Sequence, residues 1–182
     1  MNAKTGQPME HFILLNLVMS SQIKMSVKIL QASQTDLEAI LRLQKECYIA
    51  EAELYNDYKI APLRQDIKSL EKEFETSLIL KAVLGETIIG SIRGCHKKGT
   101  LFIGKLIVDK NFQNQGIGQR LLKSIESEIN VYERSELFTG FRSEKNLYLY
   151  SKNGYVEFKR EKINENMTLI FLEKYKNGLK KK

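Results

Sequence analysis

The sequence predicts a mixed α/β fold, an open sheet of about seven strands with helices on its faces. Three observations carry that expectation. Apolar spacing alternates along the chain between the two-residue period of strands and the longer period of helices. Two short glycine-bearing turns, Gly85-Glu86 and Lys97-Lys98-Gly99, separate apolar runs of strand length mid-chain. The segment Gln113 to Gly118 then stands where a strand ends and an amphipathic helix begins.

Val27 to Gln31 alternates like a strand. Thr35-Asp36-Leu37-Glu38 has the pattern of a capping box, after which Leu37, Ile40, Leu41, Cys47 and Tyr48 share one helical face. A second helix is expected from Pro62 to Phe74, with Ile67, Leu70 and Phe74 as its stripe. Leu78 to Leu84 and Thr87 to Arg93 read as a hairpin, and Leu101 to Val108 as the next strand. Gly116 to Asn130 reads as a helix with Ile117, Leu121, Ile125 and Ile129 inward. Strands at 137–139, 155–159 and 167–172, with a helix at 144–152, complete the order β-α-α-β-β-β-α-β-α-β-β.

A chain of 182 residues holds one domain with a real core and is short for two. The division expected is an extension at 1–24, one folded domain at 25–176 and a basic tail at 177–182. The apolar run Phe12 to Met19 is under half a membrane span, and Glu10 before it makes a poor export signal. Cys47 and Cys95 have neither metal spacing nor the density of a disulfide scaffold, so a reduced, cytoplasmic compartment is expected. No metal-ligand cluster is visible, and no metal is expected. The net charge of +7 suits nucleic acid, an anionic cofactor or plain solubility, and decides among none of them.

The chemistry concentrates between residues 106 and 118. Backbone N–H groups at a helix start are unpaired and the helix dipole adds positive charge, so such a start cradles phosphate. Gly116 and Gly118 would let the backbone approach closely. Two nucleotide motifs are excluded here. Leu121 stands where a dinucleotide fingerprint needs its third glycine, and Gly118 is followed by Gln119-Arg120 rather than Lys-Ser/Thr. A glycine-softened turn that binds nothing is the competing reading.

Gln113, Gly116 and Gly118 match, in register, the Gln/Arg-x-x-Gly-x-Gly/Ala motif, and the chain resembles the GNAT superfamily of N-acetyltransferases. A second match lies at Ser143 to Tyr155, where Tyr150, Gly154 and Tyr155 fall on the tyrosine, glycine and aromatic of that family's downstream signature. Ser143 and Asn146 depart from it, at places where an asparagine and a small residue are usual. The resemblance spans about residues 27 to 173. It implies acetyl-CoA as co-substrate, lying where two parallel strands ending near Val108 and Thr139 splay apart. It assigns the pantetheine arm to the backbone of Leu106, Ile107 and Val108, and the pyrophosphate to Gln113, Asn114, Gln115, Gly116, Ile117 and Gly118. Asn146 would flank the arm. Tyr150 would be the general acid for the departing thiolate; a core aromatic is the alternative for it.

No general base declares itself. Phe102 stands where histone-type members carry a glutamate. Glu51 and Glu53, at the end of the first helix, are candidates for binding or deprotonating an amine; a solvated helix face is their ordinary meaning. His96 reads as a turn residue and His11 lies before the domain. The Lys180-Lys181-Lys182 end reads as a solvated tail. The functions consistent with these residues are direct acetyl transfer to a primary amine of a small molecule or peptide, a non-catalytic acyl-CoA-binding module, and a basic nucleic-acid-binding domain. No membrane association is expected, and a homodimer is possible if the apolar extension packs on a second copy.

Overall fold

The computed structural model describes residues 26–176, so the expected extension, its Phe12 to Met19 run, His11 and the terminal lysines lie outside the described residues. The chain opens with strand β1 (Lys28–Gln31), followed by helix α1 (Leu37–Tyr55). Two short helices come next, α2 (Ala61–Arg64) and α3 (Ile67–Phe74). Strands β2 (Leu78–Leu84), β3 (Thr87–Lys97) and β4 (Thr100–Val108) form a meander. Helix α4 (Ile117–Glu128), strand β5 (Arg134–Gly140) and helix α5 (Glu144–Lys152) precede the final hairpin, β6 (Val156–Lys162) and β7 (Thr168–Tyr175). The seven strands make one sheet in the order β1-β2-β3-β4-β5-β7-β6. All neighbours are antiparallel except β4 and β5. The mixed sheet with helices on its faces is the architecture expected.

Strand alternation explains how the two faces are covered. On β2, Leu80 and Ala82 face α4, while Ile79, just before them, faces α1. The α4 stripe of Ile117, Leu121, Leu122 and Ile125 is essentially without solvent contact. Burying each such side chain stabilises the fold by about 1.5–3 kcal/mol. On the other face Leu37, Ile40 and Leu41 of α1 pack with Leu70 of α3. Among the described residues no helix is long and apolar enough to cross a membrane.

Three local expectations are corrected. The N-terminal box forms two residues earlier: the Ser33 backbone N–H donates to Asp36 Oδ2 at 2.7 Å, and Lys81 pairs with the same carboxylate. Asp36 is thereby the box's acidic partner rather than an interior residue of one. The single helix expected over Pro62 to Phe74 is split, because Asp66 caps a new helix by accepting from the Ser69 N–H at 2.8 Å. Third, His96 lies on β3, exposed, because that strand runs to Lys97 before a two-residue turn. Lys98 and Gly99 both have positive φ, as that turn demands.

A buried polar cluster ties the short helices to the sheet. Arg93 of β3 donates from Nη2 to Gln44 of α1 and from Nη1 to Glu73 of α3, both at 2.5 Å. Gln65 bridges Glu73 and Gln44 at 2.9 and 3.0 Å. Removing one member would leave buried polar groups unpaired, which costs more than the bonds contribute when present.

The C-terminal end of α1 pins the turn after β5. Tyr55, buried, accepts the Arg142 backbone N–H at 2.7 Å and lies across Gly140. A Cβ on Gly140 would come within 2.6 Å of Tyr55 Cζ. Gly140→Ala should therefore lower stability by about 1–3 kcal/mol, the range for overpacked sites. Urea unfolding followed by circular dichroism measures this; an unchanged midpoint would show that Tyr55 moves aside freely.

Candidate acyl-transfer cleft

The parallel pairing between β4 and β5 is brief. It joins Thr100 to Arg134, Leu101 to Ser135 and Phe102 to Glu136, and then stops. Beyond Phe102 the two strands diverge, while β4 stays paired to β3 as far as Val108. One cause is visible in β4 itself. Between Gly104 and Ile107 it carries an extra residue relative to β3, with Lys105 at φ 51°, a bulge that bends and twists the strand. The gap opens into a cleft of about 1220 Å3, floored by β4 and β5 and walled by α1, α4 and α5.

One end of the cleft is the start of α4. Gly116 occupies the N-cap at φ 78° and brings no capping side chain, so the first-turn N–H groups are left to other partners. Asn114, also at positive φ, turns the chain into this position. Gln113 Nε2 donates to the Val108 carbonyl at 3.1 Å, tying the loop back to β4. A Cβ on Gly118 would lie 3.4 Å from Leu149 Cδ2 and 3.8 Å from Val108 Cγ2, across the gap between α4 and α5. Leu106, Ile107, Val108, Gln113, Asn114, Gly116, Ile117 and Gly118 all line the cleft, as expected. Gln115 does not: its side chain turns away to donate to the Asn111 carbonyl at 3.4 Å.

The other end gathers α1 and α5. Helix α5 stops at Gly154, at φ 87°, where the Tyr155 N–H reaches the Tyr150 carbonyl at 3.1 Å and the Gly154 N–H reaches that of Ser151 at 3.0 Å. This is a Schellman end, and it fixes the turn that carries Tyr150. The Tyr155 ring packs 6.1 Å from that of Tyr150, and its hydroxyl donates to Glu126 at 2.6 Å. Tyr150 is buried, lines the cleft, and its hydroxyl bonds to no described residue. Burial, followed by the charges of Tyr48 and Glu51, pushes its pKa well above the ordinary phenol value, so it keeps its proton.

Glu51 and Asn146 are brought together. Ser143, at the N-cap of α5, turns its hydroxyl to Glu51 Oε2 at 2.7 Å instead of capping its own helix. Asn146 Nδ2 donates to Glu51 Oε1 at 3.4 Å and to Thr139 Oγ1 at 3.3 Å. Glu53, two residues on, is exposed and outside the cleft, because residues i and i+2 of a helix point to different sides. Tyr148, exposed, stands at the outer rim under the Lys152 ammonium, not on a different side of the helix from the cleft. Of the further lining residues, Tyr48 was read only as part of a helix face and Thr139 only as a strand end, and Lys105 had no sequence signal. Among the described residues no group of three or more His, Cys, Asp or Glu is placed to hold a metal.

Cys47 of α1 also lines the cleft, donating from Sγ to the Val108 carbonyl at 3.5 Å. Burial, with the charges of Asp109 and Glu46, pushes its thiol up to about 11. With Cys95→Ser leaving Cys47 as the single thiol, alkylation should rise about tenfold per pH unit through pH 10, since the thiolate is the reacting form. A rate already level by about pH 9, the ordinary range, would contradict this placement.

Residues 75–157 match the family model of an acetyltransferase (GNAT) domain. The fold is similar to an acetyltransferase of the GNAT family from Staphylococcus aureus Mu50, with TM-score 0.67 and 20% identity over 82% of this chain and 99% of that one. It is similar to the PaiA N-acetyltransferase of Thermoplasma acidophilum in complex with coenzyme A, with TM-score 0.65 and 20% identity over 83% and 99% of the two chains. It is also similar to the ribosomal-protein-S18-alanine N-acetyltransferase of Escherichia coli, with TM-score 0.66 and 15% identity over 81% and 92%. No curated protein matches the chain in sequence.

Proposed function

Residues 75–157 make this chain a member of the GNAT superfamily of acetyltransferases, and from that premise we propose that it transfers an acetyl group from acetyl-CoA to a primary amine. The observation that carries the reading is the open edge of β4, which leads from the acidic pocket at Glu51 to the uncapped start of α4. An extended pantetheine arm would add to that edge as a strand, and a pyrophosphate would sit on the N–H groups behind Gly116. A cleft of about 1220 Å3 has room for such a ligand together with an acceptor.

Acetyl-CoA would supply an acyl group activated as a thioester. In the transfer one N–C bond forms as one C–S bond breaks; the nitrogen gives up a proton and the departing sulfur gains one. Tyr150 is the group placed to give that proton, since burial holds its phenol neutral and its hydroxyl bonds to no described residue. Glu51, oriented by Ser143 and Asn146, would hold the acceptor's ammonium before the proton leaves. The acceptor is a small-molecule or peptide amine, the domain occupies 25–176, and a cytoplasmic location suits its free cysteines.

Tyr150→Phe keeps the ring and removes only the hydroxyl. Turnover should fall about a hundredfold or more, the usual scale for a general acid, with acetyl-CoA affinity little changed. Tyr132→Phe, in a tyrosine outside the cleft under Lys176, is the matched control and should stay within a few-fold of the parent. Thiol release with an accepted amine measures both. Parental turnover in Tyr150→Phe would make that tyrosine structural, and no amine accepted in a broad screen would favour an acyl-CoA-binding module.

A further inference from the structure

The wall of the cleft formed by α1 and the β4 bulge carries two opposite charges, and only one has a hydrogen-bonded partner among the described residues. Glu51 is held by Ser143 and Asn146. Lys105 projects from the bulge toward α1, its Nζ 5.7 Å from the centre of the Tyr48 ring. Among the described residues no carboxylate forms an ion pair with it. The acidic group whose charge acts on it, Glu73, is already engaged by Arg93 and Gln65. Burial and the charge of Arg93 pull the Lys105 ammonium down from its ordinary value, the mark of a cation short of counter-charge. A half-buried ammonium of this kind gains most from an anion delivered by a ligand.

Its direction identifies which ligand. The phosphate cradle lies past the far end of β4, at the start of α4, on the face opposite α1. Lys105 instead shares its wall with Glu51. Tyr48 and Glu51 are three residues apart on α1 and face the same way, and Tyr48 feels both the Glu51 carboxylate and the Arg93 charge. The order along the wall is therefore cation, phenol, carboxylate.

We propose that the acceptor is a zwitterion with a carboxylate close to its amine, an amino acid or a close analogue, bound with its ammonium on Glu51 and its carboxylate on Lys105. The inference rests on the acyl-transfer reading and narrows its substrate class. A plain amine would satisfy Glu51 and leave Lys105 unmatched. A peptide would offer its amine with the carboxylate far away.

The test compares matched acceptors that differ only in the carboxylate: L-phenylalanine against phenethylamine, and L-leucine against isoamylamine, with thiol release as the readout. The parent should prefer the amino acid in each pair by at least about tenfold in kcat/KM, the scale of one charge-assisted bond. Lys105→Met should bring that ratio toward one. Lys105→Glu should invert it and admit the diamine cadaverine. Retained acetyl-CoA binding by each variant shows that it is folded. Equal rates within the pairs, or a ratio that neither Lys105 substitution moves, would overturn the proposal while leaving acyl transfer standing. A leucine-amide peptide accepted as well as free leucine would overturn it too. Uniform loss with every amine in Lys105→Met would place the lysine at the thioester instead. Turnover with no amine at all would remove the acyl-transfer reading, and this inference with it.

Discussion

Strand β4 loses its parallel partner after Phe102, which leaves a row of backbone N–H and C=O groups in need of hydrogen-bond partners. The rest of the structure is arranged around that constraint. On one side β4 stays paired to β3, on both sides of its bulge, which holds the edge in place. On the other side the chain gives it little: the Val108 carbonyl accepts from Gln113 and Cys47, and the edge before it faces the cleft. A sheet normally hides such an edge with a loop, a charge or a helix. Here it is kept open between two helix ends, a geometry suited to an extended ligand that completes the sheet.

The two ends of the cleft are built by different devices. At α4 the device is absence: glycine at the cap removes both a side chain and the steric cost of φ 78°. At α5 the device is anchorage. The Schellman end at Gly154 fixes the turn bearing Tyr150, and Tyr55 pins the start through the Arg142 N–H. The N-cap serine then spends its hydroxyl on Glu51 rather than on its own helix. Local helix stability is given up so that a carboxylate stands in a defined place.

Much of this was legible in the sequence because it rests on short-range rules. Periodicity located all seven strands, and the turns Gly85-Glu86 and Lys97-Lys98-Gly99 marked the two hairpins of the meander, the second of them one residue too long. The run from Gln113 to Gly118 marked the start of α4, since loop, cap and first turn are contiguous. What stayed hidden depends on contacts between distant residues. Asp66 is a local cap signal, but Pro62 is an equally good helix start, and only the structure shows the break between them, where Gln65 joins the Arg93 cluster. Gly140 looks like any strand-end glycine until Tyr55, far back in the chain, is laid across it. Glu51 and Glu53 looked equivalent as a pair, and only the arrival of Ser143 and Asn146 separates them. Lys105 carried no signal at all, because a bulge is a property of two strands together.

The central claim is that the open β4 edge and the uncapped start of α4 form one binding site for acetyl-CoA. Gly118→Asp tests it most directly. The new side chain would enter the gap bounded by Leu149 and Val108 and bring a negative charge to the first turn of α4. Calorimetric titration of the folded variant should show acetyl-CoA affinity reduced at least tenfold, about 1.4 kcal/mol, relative to the parent. Parental affinity in a folded Gly118→Asp protein would contradict the placement.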